Sequence, residues 1–118
     1  MTERDRRLLL EDMPACLKKI LRYTQGHNYE SFVSDEKTTD AVIRNFEIIG
    51  EAAGRIDEDC RAQHPDVAWH RLRGFRNRLI HAYFGVDYEI VWDIIENNIE
   101  SLVQRLEELI SQEISPDQ

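Results

Sequence analysis

An arginine, an amide, an imidazole and a phenol sit within one short run, Arg76-Asn77-Arg78-Leu79-Ile80-His81-Ala82-Tyr83. The guanidinium of Arg76 offers a planar fork of donors that fits a phosphodiester oxygen, and the ring of His81 changes charge near neutral pH. Such a pair suits chemistry on RNA. In-line attack of a ribose 2′-hydroxyl on its own phosphate needs a base, an acid and a cation that steadies the developing charge, with no obligatory metal. His81 and Arg76 can fill those roles. Asn77 either orients the ring of His81 or ligates the phosphate, and Arg73 and Arg78 contact backbone phosphates or form ion pairs. Tyr83 stacks on a base, packs in the core or is a site of modification. Taken alone, a histidine beside a tyrosine on a helix is more often a surface or core-edge residue than a catalyst.

The elements that must position this run are helices, because apolar residues recur at helical spacing along nearly the whole chain and no strand pattern or repeat interrupts them. The first helix carries Leu8, Leu9, Met13, Leu17, Ile20 and Leu21 and stops at Gly26; Pro14 inside it predicts a bend or a start nearby. Residues Tyr29 to Val33 read as a short turn. Ser34 or Asp35 then caps a second helix with Ala41, Val42, Phe46, Ile49, Ala52 and Ala53, running to about Ile56. A charged turn, Asp57 to Arg61, leads to the breaker His64-Pro65-Asp66. The third helix has Trp69, Leu72, Phe75, Leu79 and Ile80 on its apolar face and closes at Gly85. Asp87 caps the last helix, with Val86 and Val91 at the spacing of a hydrophobic staple and a stripe from Ile90 to Ile110. The fold class is all-α: an antiparallel bundle of four main helices forming one domain over residues 1–114, with a fraying tail at 115–118.

Placing the run on a helix constrains its geometry. Asn77 and His81 are four apart and share a face, whereas Arg76 and His81 are five apart and point about 140° away from each other. Arg76 and Tyr83, seven apart, share a face again. Two groups so disposed meet at one phosphate if the long Arg76 side chain wraps round, if the helix loosens near Gly85, or if a second chain brings its own copy. The spacing favours a site at an interface.

The pattern of Arg76, four residues, His81, one residue and Tyr83 closely resembles the signature of HEPN domains. The stretch Arg44-Asn45-Phe46-Glu47-Ile48-Ile49-Gly50-Glu51-Ala52-Ala53 and the run from Trp69 through Trp92 are similar to the HepT-like branch, the toxin half of the HepT–MntA toxin–antitoxin pairs. The resemblance spans roughly residues 5 to 110. It implies a metal-independent endoribonuclease toxin of the type VII kind, a homodimer whose two motifs line one cleft, and a minimal nucleotidyltransferase of the MntA type as antitoxin. In that family the antitoxin transfers AMP to the motif tyrosine, here Tyr83. A bulky anion there would occlude the cleft and repel RNA phosphates.

Charge distribution fits this reading better than total charge does. A net charge of −8 over 118 residues is unlike that of a general nucleic-acid-binding protein. From Trp69 to Gly85, however, the chain carries Arg71, Arg73, Arg76 and Arg78 and no acidic residue, while from Val86 onward Arg105 is the one basic residue. This basic island either meets phosphates or pairs with the acidic last helix of the same or a second chain. Glu47 and Glu51 either face Arg76 or lie on a solvated face, and Gly50 reads as a packing residue. Cys16 and Cys60 are expected to be free and packed. His27, His64 and His70 show no metal-ligand spacing, so neither metal nor cofactor is expected. With no apolar run near the roughly 20 residues that span a bilayer and a charged N-terminus, a cytoplasmic protein without a membrane partner is expected. A second function class, a non-catalytic helical module that partners a nucleotidyltransferase, is disfavoured by the presence of Arg76, His81 and Tyr83 together.

Overall fold

The computed structural model describes residues 1–80 and 87–113, with residues 76–80 described through their backbone. Seven helices occur among them: α1 (Glu3–Thr24), α2 (Tyr29–Ser34), α3 (Glu36–Arg55), α4 (Glu58–Gln63), α5 (Trp69–Ile80), α6 (Tyr88–Asn97) and α7 (Ile99–Glu113). The fold is an all-helical bundle whose four main members are α1, α3, α5 and the α6–α7 pair. Helix α3 lies between α1 and α5, and α7 closes over α1. No helix among the described residues is long and apolar enough to cross a membrane.

Local chemistry explains where the helices begin and end. Thr2 and Asp5 form a reciprocal capping box at the start of α1, with Thr2 Oγ1 accepting from the Asp5 amide at 3.0 Å, so the helix begins well before Pro14 and runs unbroken through it. Gly26, at φ +82°, takes the left-handed conformation that stops α1, as the sequence predicts. Asp35 rather than Ser34 caps α3: its carboxylate accepts from the Thr38 amide at 3.2 Å and from the Thr38 hydroxyl at 2.9 Å. Asp87 caps α6 by accepting from the amides of Glu89 and Ile90.

Three expectations need correction. The segments read as turns at Tyr29 and Asp57 contain helices α2 and α4, each six residues long, too short for apolar periodicity to register. Helix α2 is set by an Asn28–Ser31 capping box and pins Phe32 against Tyr88 and Trp92, at ring separations of 6.2 and 5.1 Å. The last helix is not continuous but breaks at Asn98, whose φ of −126° leaves the helical range and whose carbonyl accepts from the Ser101 hydroxyl. Leu8 and Ile90, placed on apolar stripes by their spacing, are exposed. Gly85, Val86 and the tail 115–118 lie outside the described residues.

The core joins the helices along their predicted apolar faces. Leu10, Met13, Leu17 and Ile20 of α1 meet Val42, Phe46, Ile49 and Ala53 of α3, with Ile99, Leu106 and Leu109 of α7 in the same fully shielded layer. Phe46 and Phe75 meet edge to face, centroids 5.0 Å apart at 74°, and so tie α3 to α5 immediately before Arg76.

Candidate functional site

The helix that carries Arg76, Asn77 and Arg78 is fixed at its front by a compact turn. His64 accepts two hydrogen bonds at its carbonyl, from the Trp69 indole at 3.0 Å and from the Val67 amide at 3.2 Å. The indole is buried, and this anchors the first turn of α5 to the breaker that precedes it. Leu72 and Phe75 then seat the helix on the core. Arg71 and Arg73 of this helix are both exposed. The backbone of α5 continues through Arg76, Asn77 and Arg78 to Ile80. The side chains of those three residues, and His81 and Tyr83 altogether, lie outside the described residues.

A groove of about 650 Å³ runs along α5 against α6 and α7, with His70, Arg71 and Gly74 on one wall and Asp93, Ser101 and Arg105 on the other. Its lining is mixed in charge. At one end Arg105 clamps Asp66 with two hydrogen bonds, one of them 2.9 Å from Nη2, and this guanidinium holds the Asp66 carboxyl down to about 2. The acidic face of α7 is engaged elsewhere too, Lys18 of α1 reaching Glu107 at 3.3 Å. On α3, Glu47 pairs with Arg44 at 3.3 Å and Glu51 is exposed, while Gly50 is buried as expected of a packing residue.

Residues 13–109 match the family described as Ribonuclease HepT-like. The chain belongs to the HepT-like ribonuclease family. A candidate ribonuclease of Methanocaldococcus jannaschii is 39% identical over 110 residues, which cover 93% of this chain and 91% of that protein. A candidate ribonuclease HepT of Thermococcus cleftensis is 41% identical over 100 residues, covering 85% of this chain and 91% of its own. A third relative, a candidate ribonuclease of Caldanaerobacter subterraneus, is 37% identical over 94 residues, 80% of this chain and 84% of that protein. No solved structure matches. Membership in the HepT-like family supports an endoribonuclease function and implies RNA as the substrate class.

One grouping in this HepT-like chain was missed by sequence reasoning, which set His64 and both cysteines aside. Cys60, on α4, and His64, its C-cap, meet Glu113, the last residue of α7, with one ligand atom of each lying within 4.8 Å of the others. His64 Nε2 is 2.7 Å from Glu113 Oε1. Arg6 of α1 approaches the other side of Glu113 at 3.7 Å and grips Asp57 with two hydrogen bonds, of 2.6 and 3.0 Å. Burial, and then the neighbouring Glu113 carboxylate, push the Cys60 thiol up to about 11. The available signal was the four-residue spacing of Cys60 and His64; Glu113, 49 residues from His64, could not be paired with them by spacing.

Proposed function

We propose that the protein is a metal-independent endoribonuclease toxin. His81 removes the proton of a ribose 2′-hydroxyl, whose oxygen attacks the adjacent phosphorus. A new P–O2′ bond forms and the P–O5′ bond breaks. The departing 5′-oxygen takes a proton, from the imidazolium of the same residue or from the His81 of a second copy, leaving a 2′,3′-cyclic phosphate and a 5′-hydroxyl. Arg76 offsets the charge that builds on the non-bridging oxygens. Asn77 orients the imidazole, and Arg73 and Arg78 bind flanking phosphates.

Family membership over residues 13–109 carries this reading. The exposed Arg71 and Arg73 support it, because they put cations on the helix that bears Arg76. A homodimer would bring two copies of the run to one cleft, which answers the roughly 140° that a five-residue spacing imposes on an ideal α-helix. A partner nucleotidyltransferase would silence the toxin by joining Tyr83 Oη to the α-phosphorus of ATP, releasing pyrophosphate. The site of action is cytoplasmic RNA.

The test is incubation of the purified chain, free of partner and with EDTA present, with a mixed cellular RNA pool, recording the intact protein mass and the RNA termini. Cleavage leaving cyclic phosphate ends is expected. A folded, unmodified protein that binds RNA without cutting it would overturn the reading in favour of a non-catalytic binding module.

A further inference from the structure

We propose that Cys60, His64 and Glu113 form a site for a divalent transition metal of the zinc class, which clasps the end of α7 to the turn that leads into α5. The site lies outside the Arg76–His81 run and is independent of the cleavage chemistry.

Three observations carry the inference. The donor set joins a thiol, an imidazole and a carboxylate, the ligand types zinc takes. The cysteine and histidine are buried and the glutamate is nearly so, at 12% side-chain exposure. Their donor atoms also converge from two elements: a tetrahedral ion with bonds of about 2.0–2.3 Å separates its ligands by roughly 3.3–3.6 Å, and the three atoms lie within 4.8 Å of one another. His64 and Glu113, at 2.7 Å, need only part slightly as the thiol closes in. Binding converts the Cys60 thiol to thiolate and releases one proton to solvent, so two anionic ligands balance the charge of the ion. Water takes the fourth position.

The neighbours set the limits of the site. The Arg6 cation stands 3.7 Å from Glu113, but its charge is largely met by Asp57, which it holds through two hydrogen bonds. Because the His64 carbonyl also holds the Trp69 indole, an ion at this point would stiffen the segment from which the motif helix departs.

Cobalt(II), a spectroscopic substitute for zinc, tests the site directly. Metal-stripped, reduced full-length protein titrated with cobalt near neutral pH should develop a thiolate-to-cobalt absorption band that saturates at one ion per chain and is displaced by zinc. Cys60→Ser should lose the band and Glu113→Gln should bind at least tenfold more weakly. Cys16→Ser, which alters the other buried cysteine, should leave the band unchanged. Zinc should raise the melting temperature of the wild type by several degrees and that of Cys60→Ser not at all. A folded wild-type protein that shows neither band nor thermal shift, or a band that survives in Cys60→Ser, would overturn the proposal.

Discussion

Phe46→Ala should destabilise the protein severely and loosen the motif helix without touching a motif residue. Phe46 is fully buried and meets the ring of Phe75 edge to face at 5.0 Å, one residue before Arg76. Truncating a buried phenylalanine costs about 3–5 kcal/mol, within which the aromatic pair accounts for roughly 0.5–1.5 kcal/mol. A chain of this length has a total stability of roughly 6–18 kcal/mol, so the variant gives up a large share of it. With a urea dependence of about 2 kcal/mol/M, the midpoint should fall by about 2 M. Urea unfolding followed by far-ultraviolet circular dichroism, at fixed protein concentration, measures this. A cycle of Phe46→Leu, Phe75→Leu and the double variant isolates the coupling between the rings. A loss below about 1 kcal/mol for Phe46→Ala, where a buried truncation should cost several times that, would refute the seating of α5 on α3 described above.

Three further outcomes follow from particular contacts. The Asp66 carboxyl is held near 2 in the folded chain, below its ordinary 3.8, so its contribution to stability is complete above the ordinary value and is lost as pH falls through about 2. Between those limits the melting temperature of the wild type should fall more steeply than that of Asp66→Asn; parallel curves would show that the Arg105 clamp adds nothing. Burial raises both thiols, Cys60 furthest, so metal-stripped native protein should react slowly with a disulfide reagent near neutral pH and rapidly at both cysteines once unfolded; fast labelling of the native state would contradict their burial. Asp87→Ala removes the acceptor for two amides at the start of α6 and should cost about 1 kcal/mol in urea unfolding, with Asp87→Asn nearly neutral.

Much of the fold was legible because its signals are local. Asp35 and Asp87 are short acceptors placed just ahead of apolar runs, and both cap helices; Gly26 follows the last apolar residue of α1 and takes a positive φ. What escaped depends on contacts between distant residues or on elements too short to show a period. Helix α4 is only six residues long, and its N-cap Asp57 gives its carboxylate to Arg6, 51 residues away, instead of to its own helix. Leu8 and Ile90 have the right spacing for burial but are exposed, with no described helix packed over them. The break at Asn98 interrupts a stripe that is apolar on both sides of it, so hydrophobicity could not reveal it. In the candidate site, the spacing of Trp69, Leu72 and Phe75 declared the buried face of the helix that carries Arg76. The Cys60–His64–Glu113 grouping was hidden because α4 and the end of α7 meet only in the folded chain.

The most direct test of the account is the single-turnover rate at which the purified chain cleaves a cellular RNA substrate in EDTA, compared with His81→Ala of equal helical content and melting temperature. Loss of an acid–base catalyst should slow cleavage by roughly 10²–10⁴-fold. A folded His81→Ala protein that cleaves as fast as the wild type would contradict the assignment of the reaction to His81.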